Sequence, residues 1–282
     1  MIKLATMTSV CPDWTLEQVI EGMVRHGYEG LEPRTGWKHK SGIELDMPAS
    51  ERENVRKRMA DEGLEICCIA TGAKFATPDP DELKGFIDEA RKGIDLAADL
   101  GAPMARTFGG FRGTGVQPPL GGELIGIVVR TVEAYKQVMD QAADRGVTLL
   151  METHDFWSVS AQVREVVQRV DHSNLRVLWD IQHPQRYFER PEETFATIGH
   201  LTAHLHAHDG VYESLDERLQ PRVVGEGIID HATPVRLLHE AGFDGYFSIE
   251  HINTPGSSHD AEGDLGKHAE AFRKIMDQIE DS

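Results

Sequence analysis

Basic residues are scarce in this chain. Its 29 Lys and Arg face 47 Asp and Glu, giving a formal net charge of −18 over 282 residues. Phosphate backbones are bound through Lys and Arg with release of counterions, so this balance argues against a nucleic-acid partner unless basic side chains cluster locally. The densest group, Arg52 to Arg58, is interleaved with Glu51 and Glu53 and reads as a solvated helix face. Anionic membrane surfaces are disfavoured on the same ground. Cysteine is nearly absent too. Cys11, Cys67 and Cys68 make no CxxC pair, and an odd number in so long a chain is no disulfide framework. Cys67 and Cys68 lie in the apolar run Ile66-Cys67-Cys68-Ile69-Ala70 and are expected as small core residues. No apolar run approaches a membrane span, and Met1-Ile2-Lys3-Leu4 lacks the basic stretch and apolar core of a signal peptide, so a reducing cytoplasm is the expected location. Gly-rich phosphate-loop motifs are also missing. The first strand leads into Thr8-Ser9-Val10-Cys11-Pro12 without a glycine, which weighs against an open doubly wound sheet.

What is present is an alternation of two periods. Short β-rich runs lie at Ile2–Thr8, Gly30–Glu32, Glu65–Ala70, Pro103–Phe108, Val147–Glu152, Leu175–Asp180, Leu201–His206 and Tyr246–Glu250. Each is followed by a helical segment, at about Thr15–His26, Ala49–Glu62, Asp79–Leu100, Gly122–Arg145, Ser158–Val170, Glu192–Ile198, Ala232–Ala241 and Glu262–Glu280. Eight strands, each with its helix, predict an α/β fold of one kind: a single-domain (β/α)8 TIM barrel over residues 1–282, since no composition shift marks a boundary. The loops Gly109 to Gly122 and Val211 to Val224 are expected to shape a pocket and contacts in a homo-oligomer.

Active groups of such barrels come from the C-terminal ends of the strands. Side chains alternate faces along a strand. His204, His206 and His208 share the face opposite Ala203, Leu205 and Ala207, and Ser248 and Glu250 the face opposite Phe247 and Ile249. Thr148 and Glu152 oppose Leu149 and Met151, and Asp180 opposes Trp179. Four consecutive strands thus aim an ionisable group at one end of the axis. A single strand-end Glu is most often a rim salt bridge and a single inward His a satisfied core residue, but four with matching parity argue for a site. Three carboxylates meeting there would repel one another, and a divalent cation removes that penalty. Glu152, Asp180, His206 and Glu250 form a hard O,O,N,O set suited to one Mn2+ or Mg2+, with Co2+ or Zn2+ admitted by the imidazole. His183 follows Asp180 in what reads as a loop; it could bind metal, bind substrate or cap a turn before Pro184. Glu32 and His154 are candidates for substrate contact, and Trp37 and Phe75 for pocket walls or core.

Several segments carry a resemblance: Leu150-Met-Glu152-Thr-His154, Trp179-Asp180-Ile-Gln-His183, His206-Ala-His208-Asp209, Gly225-Glu-Gly227-Ile-Ile-Asp230 and Gly242-Phe-Asp-Gly245-Tyr-Phe-Ser-Ile-Glu250. Over essentially its full length the chain resembles the sugar phosphate isomerase/epimerase family of xylose isomerase-like TIM barrels. The resemblance implies metal ligands at Glu152, Asp180, His206 and Glu250, an acid/base pair in Glu152 and Glu250, and a contact from His183 to a substrate oxygen. It departs at two positions. His208 stands where the family motif usually has Lys, and Gly210-Val211-Tyr212 stands where ketose 3-epimerases carry a substrate-gripping Arg; both weigh against a simple free-ketose epimerase. The endonuclease branch of the family is excluded by Ala70-Thr71-Gly72 and Thr107-Phe108-Gly109, which lack its extra ligands, and by the charge.

The implied activity is that of a metal-dependent isomerase or epimerase working on a ketose or related sugar through a metal-stabilised enediolate. If a β-substituent leaves from the same enolate, the outcome is instead a dehydratase or lyase reaction on a keto-sugar, keto-cyclitol or 3-keto-glycoside. The expected partner is a small-molecule carbohydrate.

Overall fold

A computed structural model describes residues 1–110, 122–213 and 219–280. The main sheet contains nine parallel strands: β1 (Lys3–Met7), β2 (Gly30–Glu32), β3 (Glu65–Ile66), β4 (Ile69–Lys74), β5 (Met104–Phe108), β6 (Thr148–Glu152), β7 (Leu175–Asp180), β8 (Thr202–Ala207) and β11 (Tyr246–Ile249). Their order is β3-β2-β1-β11-β8-β7-β6-β5-β4. The two ends of that list are consecutive in the chain, so β3 and β4 are halves of one stave and the sheet curls round into a nearly closed barrel. Residues Cys67 and Cys68 interrupt the stave between its halves; the lower half pairs with β2 and the upper with β5. The expected single strand Glu65–Ala70 is therefore broken in two and extended to Lys74. The break falls where the stave changes partner, from β2 to β5.

Helices α1 (Leu16–His26), α2 (Ala49–Asp61), α3 (Pro80–Leu100), α4 (Gly122–Asp144), α5 (Ser160–Val170), α7 (Pro191–Ile198), α8 (Ala232–Glu240) and α9 (Ala261–Glu280) surround the barrel. Their ends follow from local chemistry. Thr15 and Gln18 close a reciprocal capping box on α1, and Gly27 ends it at φ 77°. The Asp79 carboxylate accepts from the backbone N–H groups of Asp81 and Glu82, with Pro80 in the first helical position of α3. Two elements depart from the sequence reading. Residues Gln182–Arg186 form a short helix α6, which places His183 on a helix rather than in a loop. Strands β9 (Asp209–Val211) and β10 (Gln220–Arg222) pair antiparallel inside the segment read as a loop. The anticipated pocket loop 109–122 falls largely on 111–121, outside the described residues.

Two apolar layers follow the strand parity. Leu149, Met151, Val177, Leu205, Phe247 and Ile249 pack outward under the helices. Ala5, Cys67, Cys68, Met104, Leu150, Leu178 and Tyr246 fill the axis. Ala203 departs from its expected outward place and packs against the axis group, because the pairing slips between Val177–Thr202 and Leu178–His204. Phe75 is core, edge-on to Tyr135.

Candidate metal centre

Above the apolar axis the inward positions turn polar. Glu32, at the end of β2, is fully buried, and three donors converge on it. His204 Nε2 lies 2.8 Å from Oε2, His206 Nε2 lies 3.0 Å from Oε1, and the Ser248 hydroxyl donates to Oε2 at 2.7 Å. Burial alone would raise this carboxyl; His206 and His204 beside it hold it well below the usual carboxylate range. Glu32 is thus a supporting residue under the site rather than a substrate contact. An ionised carboxylate only accepts, so both imidazoles present an Nε2 proton to it, and His206 turns its Nδ1 toward the mouth.

Glu152, Asp180, His206 and Glu250 come together there. One ligand atom from each lies within 4.8 Å of the others, and all four residues are buried. His206 Nδ1 is 2.6 Å from Glu250 Oε2 and 3.5 Å from Glu152 Oε1. These atoms are not aligned as hydrogen bonds. Both Glu152 oxygens, Asp180 Oδ2, His206 Nδ1 and Glu250 Oε2 are buried without a hydrogen-bond partner among the described residues. Buried polar atoms are rarely left so, and here one from each of the four residues gathers in a common group. The set of carboxylate oxygens plus one imidazole nitrogen fits a divalent cation. The field agrees. Burial alone would lower the His206 imidazole, yet Glu32 and Glu250 raise it well above its ordinary value: positive charge is favoured at this point. Burial alone would raise Glu250, and His208 and His206 hold it well below the carboxylate range.

The sequence reading left one member of this layer unremarked. Arg106 of β5 is fully buried, with Nε 3.2 Å from Glu152 Oε2 and Nη1 donating to the Thr71 carbonyl at 2.9 Å. Its signal lies in the sequence: Arg106 shares inward parity with Met104 and Phe108 and is the only charged residue of its strand. It balances part of the negative charge that Glu152 brings into the barrel.

A family model described as the xylose isomerase-like TIM barrel matches residues 20–275. The chain belongs to that family. Among solved structures, this xylose isomerase-like barrel is similar to the IolI protein with a bound zinc atom, at TM-score 0.82 and 17% identity, covering 99% of each chain. It is similar to an L-ribulose 3-epimerase at TM-score 0.79 and 18% identity, covering 99% of this chain and 96% of the other. A probable 3-DHS dehydratase, AsbF of Bacillus anthracis, follows at TM-score 0.77 and 17% identity, covering 96% and 99%. At these identities the likeness is one of fold. An uncharacterized protein of Methanocaldococcus jannaschii is 32% identical over 135 residues, 45% of this chain and 44% of that protein, so the match spans under half of the relative's length.

Over the carboxylates this xylose isomerase-like barrel opens into a cavity of about 400 Å3, walled in part by Arg34, Trp37, Phe108, His154 and His183. The Arg34 guanidinium stacks 4.1 Å from the centre of the half-exposed Trp37 ring. His183 is buried on α6, and burial lowers it to about 4, leaving the ring neutral near pH 7. The mouth is braced from outside by Asp209. Its carboxylate accepts from the backbone N–H groups of Gly210, Gly225, Gly227 and Ile229 at 2.8, 2.8, 3.0 and 3.2 Å. A side chain at Gly227 would stand 2.0 Å from Asp209 Oδ1, which explains the second glycine of Gly225-Glu-Gly227. Among the described residues no helix is long and apolar enough to cross a membrane.

Proposed function

We propose that this protein is a divalent-metal-dependent isomerase or epimerase acting on a ketose or related sugar. In this reading Glu152, Asp180, His206 and Glu250 are the metal ligands, Glu152 and Glu250 the acid/base pair, and His183 the substrate-binding residue. The observation that carries it is the convergence of four buried side chains, each bringing one ligand atom within 4.8 Å of the others. A bound cation, with Mn2+ the first candidate, would supply Lewis-acid stabilisation of negative charge developing on substrate oxygen.

The chain's own residues supply the proton chemistry. Strands β6 and β11 are separated in the sheet by β7 and β8, so Glu152 and Glu250 reach the site from different sides. One carboxylate removes the proton beside the substrate carbonyl and the other returns one, to the opposite face for epimerisation or to the neighbouring carbon for isomerisation. Neutral His183 holds a substrate oxygen, and Trp37 and Phe108 shield the reacting carbon from water.

A second reading, elimination from the same site by a dehydratase or lyase, is favoured by Gly210 and Val211, which give β9 no cationic side chain for gripping a free ketose. One experiment separates the two. The protein is incubated with Mn2+ and a panel of ketoses, keto-sugars and keto-cyclitols in deuterated water. Deuterium uptake without loss of a substituent supports the isomerase or epimerase; loss of water or of a glycosyl group supports the lyase. A protein that binds no divalent cation and exchanges no substrate proton overturns both.

A further inference from the structure

Three cationic side chains line the cavity over the carboxylates, in a chain whose net charge is −18. Arg34 follows β2 and bridges to Ala70 of β4, Lys74 ends β4, and Arg186 ends α6. Among the described residues none of the three forms an ion pair, and Arg34 Nη1 is buried without a hydrogen-bond partner. The two acids on the same wall each already face an imidazole. Glu250 Oε2 lies 2.6 Å from His206 Nδ1, and Asp155 Oδ2 lies 3.2 Å from His154 Nδ1. Like charges gathered in a cleft repel one another and focus a positive field there, which an entering anion relieves.

Their placement decides which end of a substrate meets that field. The four-residue set comes from β6, β7, β8 and β11, which are consecutive in the sheet. Arg34 and Lys74 come from β2 and the stave β3–β4, on the opposite arc of the barrel. One cavity of about 400 Å3 reaches from Glu250 to Lys74. A molecule whose carbonyl lies over the four-residue set therefore turns its far end toward Arg34 and Lys74. Arg186 is exposed and also lines the adjoining cavity beside Pro221, so it stands at the entrance.

We propose that Arg34 and Lys74 form an anion subsite with Arg186 at its entrance, and that the substrate is a keto-sugar bearing a carboxylate or phosphate group at the end remote from its carbonyl. The proposal rests on the functional reading above and narrows its substrate class. Stacking on Trp37 fixes the plane of the Arg34 guanidinium, and a fixed plane suits paired hydrogen bonds to a carboxylate or phosphate. Lys74 adds a point charge on the same side. A neutral ketose leaves both cations without a counter-charge, so the subsite selects against it.

The test is calorimetric titration of the full chain loaded with Mn2+. The probes are D-fructose, D-tagatose, D-sorbose and D-psicose, each as the free ketose, the 6-phosphate and the 6-carboxylate. In at least one set a charged member is expected to bind about 100-fold more tightly than its neutral counterpart, and which member does so tells phosphate from carboxylate. Lys74→Gln is expected to weaken that member by about 10- to 100-fold, the worth of a hydrogen bond between charged groups. Arg186→Gln is expected to slow its association, and both effects should shrink as salt rises from about 0.01 to 0.15 M. Charged members that bind no better than neutral ones, or that do not bind at all, overturn the subsite and leave the functional reading standing. A preference undiminished in Lys74→Gln also overturns it. A chain that takes up no Mn2+ overturns both proposals. Should a variant fail to fold, as seen by circular dichroism, the preference of the wild type and its salt dependence still decide.

Discussion

Glu32 Oε1 lies 3.0 Å from His206 Nε2, on the far side of the imidazole from the nitrogen that faces Glu250. A carboxylate at the base of the site therefore sets which nitrogen of His206 is available at the top. Conversion of Glu32 to Gln offers the ring an amide in place of an obligate acceptor. We expect Glu32→Gln to weaken Mn2+ binding at the four-residue site by about 10- to 100-fold, as outer partners of metal-binding histidines do. Calorimetric titration checks it; unchanged affinity would show that Glu32 does not orient the ring.

In the proposed mechanism, Glu250→Gln removes one member of the proton-transferring pair. The expected loss in turnover is about 100- to 10,000-fold, the range that general acid–base groups contribute. Solvent deuterium exchange into the substrate should fall in parallel with turnover. A variant that keeps normal exchange would assign the chemistry to other groups.

Cation binding should stabilise the fold, because the unfolded chain has no preformed site. At a hundredfold excess over its dissociation constant the ion adds about 2.7 kcal/mol. The melting temperature should rise with Mn2+, fall back with a chelator, and respond far less in Glu152→Gln. A melting curve indifferent to Mn2+ in the wild type contradicts the site.

His268 on α9 governs part of the acid sensitivity. Burial is the main cause that lowers its imidazole from 6.5 to about 3 in the folded protein. Its Nδ1 accepts the Val224 backbone N–H at 3.3 Å. Between those two values the unfolded chain binds the proton that the folded chain refuses, so this contribution is complete above 6.5 and is lost as pH falls through the window. Urea unfolding at points across that window should give a shallower pH dependence for His268→Gln than for the wild type.

Asp209→Asn should destabilise the protein by about 1.5–3 kcal/mol, the worth of hydrogen bonds to a buried charge. Gly225 and Gly227 both donate to Oδ2, and an amide nitrogen there would meet two N–H groups. Chemical denaturation measures the loss. Protease cleavage within 223–231 should quicken in step with it.

The barrel and its four-residue cluster were legible in the sequence because both are written in a period of two. Polar groups at the inward positions of β6, β7, β8 and β11 stand out against apolar outward ones, and no packing detail is needed to see it. Depth along the axis was not legible. It depends on the shear between staves, which pairing sets, so Glu32 reads as a candidate for substrate contact yet lies buried against His204, His206 and Ser248. Helix α6 is hidden by Pro184, which suggests a breaker but sits in the first turn, where its missing N–H costs nothing. The break at Cys67-Cys68 is hidden because the apolar run continues across it. The β9–β10 hairpin is hidden because Pro221 and the charged residues around it read as coil.

The split stave has a use at the bench. Cys67 and Cys68 stand at the seam where the sheet closes on itself, both fully buried and reduced, with thiols pushed well above their ordinary value mainly by burial. An alkylating reagent reaches them when the seam parts. The modification rate of the two thiols therefore clocks how often the cylinder opens around its broken stave.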